Sequence, residues 1–231
     1  MIVAITGETG FLGKHLSSFF LHVLKYKVIS LGRNYLSSIE RMKEADYLIH
    51  AASVHRNPDP EIVYRENMKI NYDLISALYE NDIKINIVFI SSIHETLDTP
   101  YGRSKLEGRE LFRKYCGNVG RIFISHALPN LFGPGAKPNN TSFVATFSYN
   151  LHNNIQCVYN DNKVNLCYVD DAVTKIGKFS AERSFFKTVY ISVSEVFHLL
   201  SYFKAVLDTG NIPETKSGFE KNLLNTFITY K

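Results

Sequence analysis

Residues 2–13 read IVAITGETGFLG, an apolar run rich in β-branched residues followed by glycines at positions 7, 10 and 13. The first glycine permits a tight turn, the second lets the backbone approach a phosphate group, and the third lets a helix pack closely on the strand. A helix that starts directly after the turn points free N–H groups at the phosphates. The stretch therefore predicts a strand–turn–helix that binds a dinucleotide pyrophosphate; a plain strand–helix turn is the alternative.

Strand-like and helix-like segments alternate along the rest of the chain. This alternation predicts an α/β fold, a Rossmann-like doubly wound parallel sheet with a small C-terminal substrate-binding lobe. Ser192 and Glu195 form a capping box, which predicts a helix start. The predicted strands cover residues 2–6, 28–31, 47–52, 85–90, 121–124, 164–169 and 188–191. The predicted helices cover residues 11–24, 35–43, 61–80, 104–115, 143–151, 171–180, 192–207 and 219–227, and residues 131–142 are predicted as a loop.

Composition limits the classes of protein that this chain can represent. At 231 residues we expect one domain, with a dinucleotide-binding core at about 1–130 and a mixed substrate lobe and remaining core at about 131–231. The net charge of +4 is scattered, so nucleic acid is not an expected partner, and no apolar run is long enough to span a membrane. Three cysteines without CxxC spacing argue against a metal site or a disulfide framework. With no leader pattern at Met1, these features predict a cytoplasmic protein.

The end of the second predicted strand, Leu31-Gly32-Arg33-Asn34, bears on the choice of cofactor. An NAD site usually places Asp or Glu here to bond the ribose 2′-hydroxyl, and none is present. The guanidinium of Arg33 could instead pair with the 2′-phosphate of NADP. We therefore expect NADP(H) as the preferred cofactor and NAD(H) as the alternative, and a solvated arginine with no cofactor role also fits the pattern.

Tyr101 and Lys105 are four residues apart and would lie on one face of a helix. The chain has fourteen tyrosines, so this spacing alone could arise by chance. It gains weight because it follows the predicted strand that ends at Ser91-Ser92 and because the phosphate-binding turn is already present. With these pieces the chain resembles an extended short-chain dehydrogenase/reductase of the nucleotide-sugar epimerase/dehydratase family.

Four further motifs agree with this resemblance, and they occur in the family's order over nearly the whole chain. They are His50-Ala51-Ala52-Ser53, Asn67, Pro129-Asn130-Leu131-Phe132-Gly133-Pro134 and Tyr168-Val169-Asp170-Asp171-Ala172. Lys137-Pro138-Asn139 and Val144-Ala145-Thr146-Phe147 are similar to one branch, the capsular-polysaccharide enzyme that makes UDP-N-acetyl-L-fucosamine precursors. In that branch a reductase domain uses NADPH to reduce the C4 keto group of a UDP-2-acetamido-2,6-dideoxy-hexulose. A C-terminal cupin domain performs the preceding epimerisation, and this chain resembles the reductase part without the cupin.

The resemblance implies roles for individual residues. Tyr101 would be the general acid, with its pKa lowered by Lys105 and by the cofactor's charge, and Ser92 would hydrogen bond the same carbonyl oxygen. Lys105 would hold the nicotinamide ribose, and Asn67 would position backbone or a proton-relaying water. The implied cofactor contacts are Gly7, Thr9, Gly10, Phe11, Leu12, Gly13, Arg33, His50, Ala51, Ala52, Tyr101, Lys105 and Pro129. The implied substrate contacts are Ser92, His94, Asn130, Lys137 and Asn139.

Departures from the family pattern narrow the expected chemistry. Ile93 and His94 occupy the two positions after Ser92 where a 4,6-dehydratase has acidic residues, which argues against dehydration. A helix and a strand usual in the family are missing between Arg33 and Asp46. Two alternatives to the NADPH-dependent ketoreductase stay open, a nucleotide-sugar epimerase with tightly bound NAD and a non-enzymatic NADP-binding module. The resemblance also implies a homodimer and a UDP-sugar substrate, and a separate cupin-type epimerase could supply that substrate.

Overall fold

The computed structural model describes residues 1–32, 35–140, 142–180 and 185–231. The chain divides into two compact units. The first comprises Met1–Leu128 and Val173–Ser184, and the second comprises Pro129–Ala172 and Phe185–Lys231. Each unit has its own hydrophobic core. No helix in the described part of the chain is both long and apolar enough to cross a membrane.

The first unit is built on a five-stranded parallel sheet with the order β2-β1-β3-β4-β5. The strands are β1 (Ile2–Thr6), β2 (Lys27–Leu31), β3 (Tyr47–His50), β4 (Asn86–Ser92) and β5 (Phe123–Leu128). The chain order reverses between β1 and β3, and ligands of open α/β sheets bind at the carboxyl ends of the strands at such a switch point. The predicted Rossmann-like parallel sheet is confirmed.

The segment that leads into β3 is short, as the sequence between Arg33 and Asp46 led us to expect. Among its described residues the only regular element is a 3₁₀ helix, Tyr35–Glu44, where a polar helix was predicted. The buried side chains of Ile39 and Met42 are three residues apart, the spacing that brings side chains into line on a 3₁₀ helix. Arg33 lies outside the described residues, so the prediction for it stays a prediction.

Three helices of the first unit flank the sheet: α1 (Phe11–Ser18), α2 (Pro60–Glu80) and α3 (Pro100–Val119). The helix α1 continues into a π-helical turn, Phe19–Val23, within the predicted helix 11–24. Helices α2 and α3 pack against each other. The close approach depends on Gly108, where an added Cβ would lie 2.5 Å from the Asn71 Nδ2 atom and 3.0 Å from the Phe89 ring.

The start of α3 corrects the predicted helix 104–115. The helix begins at Pro100, because the Thr99 hydroxyl caps it by accepting a hydrogen bond of 3.0 Å from the Gly102 N–H, and proline suits the first helical position. Tyr101 therefore stands in the first turn of α3, and Lys105 follows one turn later.

The second unit contains a three-stranded mixed sheet. Strands β6 (Asn130–Phe132) and β7 (Lys163–Tyr168) are parallel, and β8 (Val189–Ser192) runs antiparallel to β7. The predicted loop 131–142 is wrong at its start, because pairing with a distant strand holds β6 extended in a way that local sequence does not reveal. The helices of this unit are α4 (Phe143–His152), α6 (Val193–Asp208) and α7 (Gly218–Ile228). The helix α5 (Val169–Ile176) begins in the second unit and ends in the first.

The predicted capping box at the start of α6 is confirmed. The Ser192 hydroxyl accepts a hydrogen bond from the Glu195 N–H at 3.1 Å, and the Ser192 N–H donates to the Glu195 carboxylate at 2.8 Å. Both bonds satisfy N–H groups that would otherwise lack a partner at the helix start.

Two glycines of α3 form a matched pair that tests the packing of α2 on α3. We expect Gly108→Ala to lower the free energy of unfolding by about 1–3 kcal/mol, because the buried Asn71 amide beside it is held by His50 and cannot easily move away. A Cβ added at Gly117 would meet no atom within 4 Å, so Gly117→Ala should raise the free energy of unfolding by about 0.5–1 kcal/mol through the higher helix propensity of alanine. Urea denaturation measures both, and equal effects would contradict the packing argument.

Candidate functional site

The turn after β1 has the backbone geometry of an anion-binding loop. Gly7 has a φ of +71°, which favours glycine, and its carbonyl accepts a hydrogen bond of 2.9 Å from the Gly10 N–H. Helix α1 starts directly after Gly10. Within this fully described helix, no side chain caps the first turn and the first turn has no acidic residue. Its backbone N–H groups therefore suit the pyrophosphate of a dinucleotide, with Thr9, Phe11 and Leu12 beside them.

The glycines also let three backbone segments approach one another. An added Cβ at Gly7 would lie 2.7 Å from the backbone N of Ala52 and 2.8 Å from the carbonyl carbon of Ala51, directly after β3. An added Cβ at Gly13 would lie 2.2 Å from the Gly7 carbonyl oxygen. A side chain at either glycine would push the turn away from β3 or α1 away from the turn.

The side chain of His50 is buried in the first unit, so its predicted contact with the cofactor stays a prediction for its backbone. Its side chain is buried, with Nδ1 2.7 Å from the Thr6 hydroxyl and Nε2 3.0 Å from the Asn71 side-chain oxygen. The Thr6 hydroxyl in turn accepts a hydrogen bond of 3.3 Å from the Ala52 N–H. Burial lowers the pKa of His50 to about 4, so the ring is neutral at pH 7. Its imidazole therefore belongs to the core, and only its backbone remains available to a cofactor.

Lys105 lies beneath Tyr101 at the carboxyl end of β4. Its ammonium donates a hydrogen bond of 3.1 Å to the Ile90 carbonyl and lies 5.7 Å from the centre of the Tyr101 ring. Burial lowers the pKa of Lys105 to about 8, while the nearby Glu95 carboxylate acts in the opposite direction. Lys105 is thus a buried cation whose pKa lies close to neutral pH.

The Tyr101 hydroxyl has two serine neighbours, Ser92 at the end of β4 and Ser53 after β3. Hydrogen bonds from both act to lower its pKa, yet burial outweighs them and raises the pKa to about 12. The lowering of this pKa that we expected from Lys105 and from the cofactor's charge is outweighed here by the loss of hydration around the phenolate. The phenol is protonated at neutral pH, as a proton donor must be.

Ser92 has two roles in the structure. Its hydroxyl caps the 3₁₀ helix Ile93–Thr96 by accepting a hydrogen bond of 3.2 Å from the His94 N–H. This local capping role coexists with the position of Ser92 beside the Tyr101 hydroxyl. The exposed His94 ring stands edge-on to Tyr101, with ring centres 6.3 Å apart.

The connection from Ser92 to Tyr101 is tightly packed. An added Cβ at Gly102 would lie 2.3 Å from the His94 carbonyl oxygen and 2.4 Å from the Leu97 carbonyl oxygen. The 3₁₀ helix therefore rests directly on the first turn of α3, and this contact fixes the separation between Ser92 and Tyr101.

Asn67 holds backbone in this structure, which is one of the two roles that the resemblance implies for it. Its side-chain oxygen accepts hydrogen bonds from the Val54 N–H at 2.7 Å and the Ser53 hydroxyl at 3.1 Å. Its amide nitrogen donates to the Val54 carbonyl at 2.9 Å and to the Ser104 hydroxyl at 3.1 Å. All four hydrogen-bonding positions of the Asn67 side chain are filled by protein groups, so this side chain holds the backbone after β3, and the predicted relay water stays a prediction.

The Glu95 carboxylate is engaged by neighbouring side chains and is not presented as a catalytic acid or base of the kind found in dehydratases. Its carboxylate accepts a hydrogen bond from the Ser91 hydroxyl and pairs with Arg109 at 2.8 Å. The Glu95 side chain is only 10% exposed. This agrees with the argument against dehydration and shows an acidic residue that affects the site through Lys105.

The other predicted substrate and cofactor residues belong to the second unit. Pro129 is buried before β6, and Asn130 pairs with Leu166 in the small sheet. Lys137 is exposed in the following loop. Asn139 has a φ of +58° and its N–H donates a hydrogen bond of 2.8 Å to a threonine hydroxyl in α4. Their predicted ligand contacts stay predictions.

Two residues near Tyr101 were missed by the sequence-based predictions. Ser53 ends the His50-Ala51-Ala52-Ser53 motif quoted above but was given no role, and its polar side chain after a strand was the available signal. His55 is exposed, with its ring centre 5.6 Å from that of Tyr101. A single histidine in a loop gives no comparable signal.

A family comparison accounts for this arrangement of turn, serine, tyrosine and lysine. The model of the NAD dependent epimerase/dehydratase family matches residues 3–184. The chain belongs to this family. Its members bind NAD(P), which agrees with the glycine turn after β1.

Individual relatives in the NAD dependent epimerase/dehydratase family agree with the assignment. The chain is 29% identical over 243 residues to a UDP-2-acetamido-2,6-beta-L-arabino-hexul-4-ose reductase of Pseudomonas aeruginosa, with all of this chain and 65% of the relative covered. It is 30% identical to the capsular polysaccharide assembling protein CapF of Staphylococcus aureus, with a TM-score of 0.84 and coverages of 100% and 65%. The chain thus spans about two thirds of the length of these two relatives.

A more distant structure agrees on the fold alone. UDP-glucose 4-epimerase of Thermus thermophilus in complex with NAD is 18% identical, with a TM-score of 0.79, and the comparison covers 100% of this chain and 99% of that one.

The buried His50 predicts a loss of stability in acid. Unfolded histidine binds a proton below about pH 6.5 and folded His50 only below about pH 4, so its contribution is complete above pH 6.5 and is lost as the pH falls towards 4. We expect a loss on the order of 3 kcal/mol over this window. In His50→Gln the free energy of unfolding should fall less steeply with acidification, with some slope kept by the similarly shifted His126. The exposed His22→Gln serves as the control, and an unchanged slope in His50→Gln would contradict the assignment.

The Glu95 carboxylate, which pairs with Arg109, is expected to affect the pKa of Lys105. Because the Glu95 carboxylate raises the pKa of Lys105, Glu95→Gln should lower it below about 8. NMR titration of ¹³C-labelled lysine, with Lys105 assigned from Lys105→Met, measures the change. Glu110→Gln removes the other carboxylate partner of Arg109 and should leave Lys105 unchanged. Equal shifts in both variants would show that Glu95 acts only through Arg109.

Proposed function

We propose that this chain is an NADPH-dependent reductase of the C4 keto group of a UDP-2-acetamido-2,6-dideoxy-hexulose, in the synthesis of a bacterial surface polysaccharide precursor. The observation that carries the proposal is the protonated Tyr101 hydroxyl beside Ser92, with the Lys105 ammonium beneath the same ring. The similarity of this whole chain to 65% of a protein named as such a reductase supports the choice of substrate.

The proposed mechanism assigns a step to each residue. NADPH, when bound, supplies the hydride that reaches C4. Tyr101 donates its hydroxyl proton to the C4 oxygen and is left as a phenolate, which a proton from water restores. Ser92 hydrogen bonds the same oxygen and stabilises its developing charge. Lys105 stabilises the phenolate from below and holds the nicotinamide ribose, and Gly7, Gly10 and the first turn of α1 hold the pyrophosphate.

The preference for NADPH over NADH rests on Arg33 and on the lack of an acidic residue beside it. A guanidinium suits the geometry of the 2′-phosphate of NADP. Net reduction consumes the reduced cofactor, which also favours NADPH over a tightly held NAD. The epimerase alternative differs here, because it returns the hydride and needs no added cofactor.

The proposed setting is a cytoplasmic homodimer that receives its substrate from a separate cupin-type epimerase. Cys116, Cys157 and Cys167 form no disulfide bond, which fits a reducing compartment. Helices α2 and α3 present Tyr72, Tyr79 and Leu106 as exposed apolar side chains, which supports a contact through these two helices.

Tyr101→Phe tests the proposed acid. With a UDP-4-keto-6-deoxy-N-acetylhexosamine we expect wild-type protein to consume NADPH faster than NADH, followed by absorbance at 340 nm. Tyr101→Phe should lower kcat by about 10²–10⁴-fold while NADPH binding stays near normal, because binding needs no proton donor. The exposed Tyr202→Phe should behave as wild type.

Three results would contradict parts of the proposal. Full turnover in Tyr101→Phe would remove Tyr101 as the acid. Interconversion of UDP-sugars without loss of NADPH would favour the epimerase. Cofactor binding without turnover of any keto sugar would favour the non-enzymatic module.

A further inference from the structure

The buried carboxylate of Glu95 has no task in the mechanism above. Glu95 lies in the 3₁₀ helix Ile93–Thr96, within the connection from Ser92 to helix α3. Its side chain is 10% exposed, whereas that of Glu110, which pairs with the same arginine, is 49% exposed. A charge that is taken out of water needs partners on several sides, so the partners of Glu95 show which elements it joins.

The two oxygens of the Glu95 carboxylate bond to two different elements. Oε2 accepts a hydrogen bond from the Ser91 hydroxyl, at the end of β4. Oε1 accepts a charge-assisted hydrogen bond of 2.8 Å from the Arg109 guanidinium, in α3. The carboxylate therefore ties its own 3₁₀ helix both to the strand before it and to the helix after it.

A further bond closes these contacts into a ring. Lys105, one turn before Arg109 in α3, donates a hydrogen bond of 3.1 Å to the backbone carbonyl of Ile90. Ile90 directly precedes Ser91 in β4. We call this set the three-element ring, because it joins β4, the 3₁₀ helix and α3 pairwise through the bonds Ser91–Glu95, Glu95–Arg109 and Lys105–Ile90.

The three-element ring lies against the groups that act on the carbonyl in the proposed mechanism. Glu95 follows His94, whose N–H donates a hydrogen bond of 3.2 Å to the Ser92 hydroxyl. The His94 carbonyl packs on Gly102, the residue after Tyr101, where an added Cβ would lie 2.3 Å from the carbonyl oxygen. The residue next to Glu95 thus supports both Ser92 and the first turn of α3.

We propose that Glu95 is a positioning residue that holds the Ser92 and Tyr101 hydroxyls at the separation needed for proton transfer, which rests on the proposed reductase function. It acts through the 3₁₀ helix rather than by contact with the substrate. In the balanced step, hydride from NADPH adds to C4 and the Tyr101 proton moves to the C4 oxygen, while Ser92 hydrogen bonds that same oxygen. Both hydroxyls must therefore reach one atom together, and a misplacement of about 1 Å can cost about 10²-fold in rate.

Two variants separate the effect of position from the effect of charge. Glu95→Ala removes both bonds and the negative charge, whereas Ser91→Ala removes the bond to β4 and leaves the pair with Arg109 in place. We expect kcat to fall by about 10–10²-fold in Glu95→Ala and by about 10-fold in Ser91→Ala. KM for NADPH should stay unchanged, because the turn after β1 lies outside the three-element ring. Glu110→Ala, which removes the exposed partner of Arg109, is the matched control and should keep wild-type kcat.

A readout that needs no turnover separates this inference from the proposed function. The His94 ring stands edge-on to Tyr101 with ring centres 6.3 Å apart, so its Cε1–H resonance reports the position of the 3₁₀ helix relative to the tyrosine ring. This resonance, assigned by its loss in His94→Gln, should shift in Glu95→Ala and in Ser91→Ala and stay in Glu110→Ala. If wild-type protein reduces no keto sugar, the proposed function fails while these shifts still establish that Glu95 positions this segment.

Two results would overturn the inference. Wild-type kcat and an unshifted His94 resonance in Ser91→Ala would show that the tie to β4 does not hold the hydroxyls, and this variant decides the question if Glu95→Ala does not fold. A loss of kcat in Glu95→Ala without a shift of the His94 resonance would show that Glu95 acts through its charge alone.

Discussion

The structure depends on the close contact between the turn after β1 and the backbone after β3. At Gly7 there is no room for a single additional carbon atom, because Ala51 and Ala52 lie against it. The Thr6 hydroxyl, which binds both His50 and the Ala52 N–H, holds the two strand ends at this distance. This contact fixes the position of the turn and its N–H groups relative to the start of the loop that carries Ser53.

Helix α3 contributes both to the core of the first unit and to the candidate site, because residues four apart lie on the same side of a helix. Tyr101, Lys105 and Arg109 follow at intervals of four residues along one side, where they meet Ser92, the Ile90 carbonyl and Glu95. Gly108 allows close approach to α2. Because one rigid helix serves both purposes, the proton donor is held by the same contacts that stabilise the first unit.

Much of this was predictable from the sequence, and the exceptions have physical causes. The glycine turn, the parallel strands and the Tyr101–Lys105 spacing follow from local rules of backbone geometry and period. The strand β6 was missed because it exists through pairing with β7, about 35 residues later in the chain. The buried state of His50, the engagement of Asn67 and the raised pKa of Tyr101 depend on surroundings contributed by several elements, which no local pattern contains. Ser53 was missed for the same reason, since its partners come from α2 and α3.

The packing of Gly102 beneath the Ser92–Tyr101 connection has a consequence for ligand binding. Because the His94 and Leu97 carbonyls rest on this glycine, the connection has few conformations to lose when a carbonyl group arrives between serine and tyrosine. The two hydroxyls are preorganised, so binding energy from the remote nucleotide need not be spent on ordering them. The same tightness makes this loop intolerant of insertions, since one extra residue would lift the first turn of α3 off its support and separate the acid from its partner.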